Sequence, residues 1–438
     1  MGQNLRGCRR LSLLGVWQLG LAMACMVASK APHDAGTGVA GSLRRASANM
    51  LTVDLHTDVF QPPDQCRKPE PCYHNAGNAG SEFCVFAANA KDDMGISKIV
   101  PMVTTQGRAL KLMHMLSDTP NTSKHARSST PKYTIRPVPG KGLGVISTNE
   151  LNRGDHILSD LPTLIVDHCM MSIVPQYHLA KLMNEAAGRL YSSQLDRLMS
   201  LDVFGDEAPD EHYLVGRIYA TSAYMLDPDG VLFGGGCGLG ALFPEISRMN
   251  HDCRPNAAYH FNPDTAMMEV HAVRPIAAGE EITVSYISPF ISHAHRQSLL
   301  HDRWGFKCTC AACSAPAANV NASDTRLEMI SSIWPFLLDK PAGDSFKDSD
   351  KLDTTNRSEL ADLLVSLAET EGLDAVMLQP YRAAALEWNA LGEAGKATSY
   401  ARFAVEYGIN SFGPRNPMVR DMQDLIQDPE LHWSWKLR

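Results

Sequence analysis

The pattern of apolar and polar positions divides the chain into stretches of different character. Residues 31–131 hold many small residues and few strong periods, and end in a Ser/Thr/Lys-rich run over 117–132 that reads as a linker. From Tyr133 short β-rich runs follow: Tyr133-Thr-Ile-Arg, Gly144-Val-Ile-Ser, His156-Ile-Leu and Thr163-Leu-Ile-Val. Turn residues separate them, which predicts small antiparallel sheets. Apolar residues then recur at helical spacing over about 174–201 and 211–226. Residues 257–261 and 267–273 flank Asn262-Pro-Asp, a hairpin signal. Residues 281–287 alternate polar and apolar and predict a strand ending near Tyr286, and 292–304 predicts a helix. Beyond about residue 320 the pattern is helical throughout, with apolar residues three and four apart over 360–367, 375–391 and 396–407. Such paired helices suggest a small bundle or repeat-type domain, although no sequence repeat supports the second form. The expected fold class is α+β.

The N-terminus adds a separate feature. Arg6, Arg9 and Arg10 precede an apolar run over 11–28, and Val27 and Ser29 suit the small positions of a cleavage site. That order describes a secretory signal peptide or a membrane anchor. Gln18 and two glycines within the run make it a poor permanent span, so no stable membrane span is expected.

Composition narrows the function classes. A chain of 438 residues suggests two or three domains at roughly 150 residues each. Hydrophobic residues at 44% and charged residues at 20% exclude a wholly disordered chain, a collagen and a multi-span membrane protein. The 40 Lys+Arg against 48 Asp+Glu leave a charge of -8. A general nucleic-acid binder would carry a basic surplus, so no direct nucleic-acid partner is expected. Three Asn-Xaa-Ser tripeptides, at Asn121, Asn321 and Asn356, occur often enough by chance to add little.

The 11 cysteines fall mainly into two groups. Cys66, Cys72 and Cys84 sit in a Pro/Gly/Asn-rich region, where two of them could form a disulfide in an oxidising compartment. Cys308-Thr-Cys310-Ala-Ala-Cys313 places three thiols within six residues, which points to tetrahedral zinc with a fourth ligand from elsewhere. A disulfide inside that segment is the alternative, at the cost of strained Cys-Xaa-Cys geometry. Cys253 is the best distant fourth ligand.

Three further pieces carry candidate chemistry. Gly140-Lys-Gly142-Leu-Gly144 allows close backbone approach, but strand-forming Val145-Ile-Ser-Thr follows it, so a dinucleotide-binding reading fails on context. By itself it is a hairpin turn. Arg248-Met-Asn250-His251-Asp252-Cys253-Arg254-Pro255-Asn256 packs hydrogen-bonding residues so densely that they must satisfy one another or a ligand. Gly279-Glu-Glu281-Ile-Thr-Val-Ser-Tyr286 launches a strand that ends in a tyrosine, a positioned hydroxyl on a rigid element.

Taken together in this order, the pieces resemble a SET-domain protein-lysine methyltransferase with a cysteine-rich post-SET segment, over about residues 132–316. The helical tail resembles the C-terminal region of SET-and-MYND proteins and their fungal relatives, but the chain lacks the Cys/His-rich MYND finger. The resemblance implies a SET fold of small antiparallel sheets around a threaded core, over 132–290, with a helical insert at about 170–230. It implies a post-SET zinc segment over 291–316 and an all-α, TPR-like domain over 317–438, after a signal-like segment at 1–30 and an extension at 31–131. Its cofactors are S-adenosylmethionine and structural Zn²⁺. Lys141, Gly142, Leu143, Asn250, His251 and Phe306 would bind the first, with Phe306 stacked on adenine. Cys253, Cys308, Cys310 and Cys313 would hold the second, and Tyr286 is the implied active-site residue. The implied partner is a protein presenting a lysine, histone or not, and the helical domain would serve a further protein partner.

Departures from the pattern matter too. Asp252 stands where the family commonly has Ser, which adds a charge near the pocket. Tyr219 and Tyr224 are the candidates for aromatics of a lysine channel. The signal-like start conflicts with zinc thiolates and S-adenosylmethionine, which belong to the reducing cell interior. Two other readings stay open on sequence alone: a catalytically silent SET-fold scaffold, and a secreted effector stapled by disulfides.

Overall fold

The β-rich first part of the chain folds as three small sheets. The computed structural model describes residues 72–74, 82–117, 131–204, 210–226, 237–338 and 356–437. The signal-like segment, Cys66 and most of the expected linker lie outside them. No helix among the described residues is long and apolar enough to cross a membrane.

The first sheet holds β1 (Cys72–His74), β2 (Glu82–Lys91), β3 (Ser97–Thr104), β7 (Leu164–Asp167), β9 (Leu239–Leu242) and β8 (Ala223–Met225), in that spatial order. Residues 82–117 lack a strong period, yet they form β2, β3 and α1 (Gln106–Ser117). The reason is that this sheet is covered on both faces, so its strands are apolar on both sides instead of alternating. Met102 and Ile165 face α1, while Val103 and Val166 join a separate core with the helical insert.

That insert is broken where one long helix is expected. It forms α2 (Met170–Ile173), α3 (Gln176–Ala187) and α4 (Ser192–Met199). Pro175 caps α3 and Gly188 ends it. The second expected helix is α5 (Leu214–Ser222), and its predicted end is instead β8, because residues 223–225 pair with β9. Cys72 and Cys84 are direct cross-strand partners and form a disulfide, one of the pairings open among three cysteines. A second disulfide, Cys169–Cys237, closes a loop of separation 68 that no sequence spacing announces.

The second sheet runs β10 (Asn250–His251), β13 (Glu281–Val284), β5 (Gly142–Ser147), β4 (Tyr133–Val138). The third runs β11 (Ala257–Asn262), β12 (Met267–Ala272), β6 (His156–Asp160), with the β11–β12 hairpin at the expected place. The strand expected to reach Tyr286 stops at Val284, two residues short of the tyrosine. Helix α6 (His293–Trp304) starts at Ser292, whose side chain accepts from the His295 N–H, and stops at Gly305 with φ +73°.

The tail forms α7 (Ala317–Leu338), α8 (Asn356–Thr370), α9 (Leu378–Ala390), α10 (Ala394–Phe412) and α11 (Pro417–Gln427). Ala397, Ala401 and Ala404 line one buried face of α10, with Gly408 one turn on. Small residues there let the helices approach closely: a Cβ on Gly408 would stand 2.7 Å from Val419 and 2.9 Å from Leu378. The fold is α+β, as expected.

Asp160 closes β6 and accepts the Glu245 N–H at 3.0 Å. Burial pushes its carboxyl up to about 7, against the pull of Arg197. A carboxyl with a raised folded-state pKa contributes stability at low pH, and this is lost as pH rises through the folded value. Asp160→Asn is therefore expected to raise the melting temperature at pH 8 more than at pH 5. A melting series across that range checks it; an equal shift at both ends would discard the buried carboxyl as the cause.

Candidate cofactor site and metal centre

The glycine turn, the segment over residues 248–256 (the threaded segment) and the tyrosine meet at one end of the second sheet. Strand β10 pairs in parallel with β13, placing Asn250 opposite Thr283 and His251 opposite Val284. On its other edge β13 pairs with β5, which brings the glycine turn alongside. Gly140 and Gly142 both have φ +75°, a conformation that favours glycine. Gly144 is needed for a different reason: a Cβ there would stand 2.5 Å from Val138 and 2.9 Å from Asn250 and Glu281.

Asn250 ties the pieces together. Its Nδ2 donates to the Leu143 carbonyl at 3.2 Å and to Glu281 Oε1 at 2.8 Å. The other oxygen of Glu281 holds Lys141 Nζ at 2.7 Å. Asn256, at the end of the same motif, is 1% exposed and sutures the loop to β13. Its Oδ1 accepts from the Thr283 N–H and its Nδ2 donates to the Glu281 carbonyl.

His251 is an internal clip. Its Nδ1 accepts the Tyr286 backbone N–H at 3.1 Å. That bond assigns the ring proton to Nε2, which lies 3.3 Å from Cys253 Sγ. Burial pushes its pKa down to about 4, so the ring is neutral. Both ring nitrogens are engaged, so the side chain orients Tyr286 and Cys253 and leaves no ring nitrogen for a ligand.

Tyr286 donates its hydroxyl to the Met249 carbonyl at 2.7 Å. Burial holds its phenol well above the ordinary tyrosine range. It therefore stays protonated, and its oxygen offers lone pairs to a donor without serving as a base. Its ring lies 5.2 Å from Trp304, and Phe306 lies 6.2 Å from His251. Tyr224 packs edge-on against Tyr259 at 4.7 Å and bonds the Ile246 carbonyl beside this group. Tyr219 does not join them: it is 1% exposed in the insert core, with its hydroxyl 3.0 Å from His168 Nε2. The sequence offered both tyrosines equally; only packing separates them.

The four cysteines converge. Cys253, Cys308, Cys310 and Cys313 bring their sulfurs within 4.8 Å of one another, and all four are free of disulfides. Cys253 Sγ lies 4.0 Å from Cys308 Sγ and 3.6 Å from Cys313 Sγ. A tetrahedron with Zn–S bonds of ~2.3 Å has sulfur–sulfur edges of about 3.8 Å. The donor set therefore fits zinc, and four thiolates fill every position of a structural site. One partner was not visible in the sequence. Gln297 of α6 grips Cys308 from both sides, donating to its carbonyl at 2.9 Å and accepting its N–H at 3.0 Å. Asp252 accepts the Arg254 N–H at 2.8 Å, an Asx turn that shapes the loop around Cys253.

Comparison with known proteins adds to this geometry. Residues 142–287 match the SET domain family. The histone-lysine N-methyltransferase set5 of Schizosaccharomyces pombe is 31% identical over 200 residues, covering 45% of this chain and 56% of its own. The N-lysine methyltransferase SMYD2-B of Xenopus laevis is 32% identical over 139 residues, 31% of each chain. Among solved structures, the Neurospora SET domain protein DIM-5, a histone lysine methyltransferase, aligns over 36% of this chain and 52% of its own, with 18% identity and a TM-score of 0.22. The chain thus spans about half the length of one curated relative and a third of the other.

Proposed function

On the premise that residues 142–287 are a SET domain, we propose that this protein is an S-adenosylmethionine-dependent methyltransferase acting on lysine side chains of a protein, histone or not. The observation that carries the reading is the convergence on Asn250: one amide joins the glycine turn to Glu281, while its neighbour His251 positions Tyr286. Both named relatives are lysine methyltransferases, which favours neither the silent scaffold nor the secreted effector.

When bound, the cofactor supplies an electrophilic methyl group. Lys141, Gly142, Leu143 and Asn250 would hold it from the turn and the threaded segment, His251 through its backbone, and Phe306 by stacking. Cys253, Cys308, Cys310 and Cys313 would hold zinc that fixes the post-SET segment beside that pocket. A lysine amine must lose its proton before it can attack, and its ordinary pKa is ~10.4. The aromatic surroundings of Tyr286 would disfavour the charged amine. The neutral Tyr286 hydroxyl, fixed on Met249, would accept from the amine and aim its lone pair. The proton would leave to water. We divide the chain accordingly into a SET domain over 132–290, a post-SET zinc segment over 291–316 and a helical domain from 317, the last a surface for a protein partner.

The test is calorimetric titration of S-adenosylmethionine into the full chain, reduced and zinc-loaded. Asn250→Ala is expected to weaken binding at least about tenfold, since two hydrogen bonds are lost. Tyr286→Phe is expected to keep cofactor affinity but to lower turnover on a lysine peptide library by about 100-fold, through lost alignment. A folded, zinc-loaded wild type that binds no cofactor would overturn the enzyme reading in favour of the silent scaffold.

A further inference from the structure

The edge of the first sheet carries a group that neither the cofactor site nor the four-cysteine cluster uses. Strand β1 lies outermost, beside β2. In that antiparallel pair Cys72 stands opposite Cys84 and His74 opposite Glu82. Side chains alternate along a strand, so residues two apart share a face, and direct partners share it too. Cys72, His74, Glu82 and Cys84 therefore stand on one face of the hairpin. On the other, Phe83 is buried in the insert core with Tyr73 packed against it.

The four are residue types that ligate zinc. A sulfur from each cysteine and a carboxylate oxygen of Glu82 lie within 4.8 Å of one another. His74 Nδ1 is 3.3 Å from Glu82 Oε1, and its side chain, 69% exposed, can turn toward the sulfurs. Glu82 Oε1 is shut off from water and makes no hydrogen bond among the described residues. Such an oxygen calls for a donor or a cation, and a bound ion would answer it. The second disulfide differs: among the described residues no histidine or carboxylate joins Cys169 and Cys237 in a group of this kind.

Disulfide and metal exclude each other at this place. Cys72 and Cys84 are joined in the structure, and a disulfide offers no thiolate. The free sulfurs of the four-cysteine cluster belong to reducing conditions, where disulfides are rarely retained.

We propose that the reduced β1–β2 hairpin is a second zinc site, built from the Cys72 and Cys84 thiolates, the Glu82 carboxylate and His74 Nδ1. A dithiol reductant opens it: the Cys72–Cys84 bond breaks, the reductant closes its own disulfide, and two electrons with two protons pass to the cysteines. Zinc then releases those protons to water. Four protein ligands make the site structural, and the ion takes over from the disulfide in fastening β1 to β2. Sulfur and nitrogen donors favour zinc over magnesium or calcium. The inference does not depend on the methyltransferase reading.

The test counts zinc by mass spectrometry on the full chain, reduced, refilled and freed of excess metal. Wild type is expected to hold two ions per chain, and Cys253→Ser and Cys72→Ser one each. Co²⁺ in Cys253→Ser should still give a thiolate-to-cobalt absorption band, which vanishes when Cys72→Ser is added. On the Cys253→Ser background, Glu82→Gln and His74→Ala should each weaken zinc at least about tenfold in chelator competition, since losing an outer partner alone costs about 10–100-fold. If wild type holds one ion, lost in Cys253→Ser and kept in Cys72→Ser, the hairpin site is overturned and the cluster stands. The opposite pattern would keep the hairpin site and sink the cluster. Unchanged affinity in both Glu82→Gln and His74→Ala would also overturn the four-ligand assignment. Should a serine variant fail to fold, Glu82→Gln in the otherwise wild-type chain decides, because it leaves every cysteine in place.

Discussion

Cys253→Ser is expected to lose the bound metal, to free the 308–313 segment and to abolish cofactor binding together. Cys253 lies on the threaded segment, two residues after His251, while the other three sulfurs lie more than fifty residues further along the chain. Bound zinc would therefore fasten the two, while Gln297 holds only the Cys308 side in place. In small zinc modules such binding is worth about 10–16 kcal/mol at neutral pH, so loss of one of four ligands has a large effect. The serine variant also leaves His251 Nε2–H facing a weaker acceptor, which loosens Tyr286 through the other ring nitrogen. Zinc content by mass spectrometry, cofactor titration and limited proteolysis after residue 291 read the three consequences separately. A chelator applied to wild type should reproduce them, and refilling with zinc should reverse them. Full zinc occupancy in the serine variant would discard the four-sulfur assignment.

Glu371→Ala is expected to cost the most stability of any single change outside the metal centre. Glu371 follows α8, and its side chain is 3% exposed. It takes Arg254 on one oxygen and Arg326 of α7 on the other, with Ser323 Oγ at 2.6 Å, while its carbonyl takes Arg254 Nε. Arg254 is the residue after Cys253, so this carboxylate bolts the helical tail to the threaded segment. Burial works against its charge, but the hydroxyl and the two guanidinium groups hold its pKa below the ordinary range. A depressed carboxylate contributes stability above its unfolded pKa, and this is lost as pH falls through the folded value, so the network weakens only in acid. Removing one partner of a buried pair typically costs 3–5 kcal/mol. Arg326 is 31% exposed and can turn to water, so about 3 kcal/mol is the better figure here. For domains of this size that lowers the melting temperature by roughly 10 °C. Glu371→Gln should lose less, since it retains acceptors for Ser323 and one arginine. Cofactor affinity should fall with stability, since Arg254 fixes the loop. A melting shift below about 2 °C would show that the tail and the threaded segment are fastened elsewhere.

The conflict between a signal-like start and a thiolate centre bears on how such experiments are run. The structure contains both cysteine chemistries: Cys72–Cys84 and Cys169–Cys237 as disulfides, and four free sulfurs in one cluster. Among the described residues, only the cluster brings four sulfurs together as zinc demands.

What the sequence determined by itself is what short-range physics encodes. Helical spacing marked α8, α9 and α10, turn chemistry marked the β11–β12 hairpin and the glycine turn, and close cysteine spacing marked three of the four sulfurs that converge. In each case the residues that make the signal also make the structure, within a turn or two of chain. The order of the motifs along the chain was likewise enough to indicate a SET fold and its candidate residues. Tertiary structure decided everything that depends on which distant segments meet. The first sheet has both faces covered, so β2 and β3 carry no alternation to read. The insert breaks at Pro175 and Gly188, and residues 223–225 leave helix for strand because β9 offers an unpaired edge. Tyr219 and Tyr224 look alike in sequence, but one sits in the insert core with His168 and the other beside Tyr286. The partners of the site are the clearest case: Gln297 and Glu371 are ordinary polar residues in the sequence. Burial alone makes them decisive, because a polar group removed from water must be answered by another, and that other can lie anywhere along the chain.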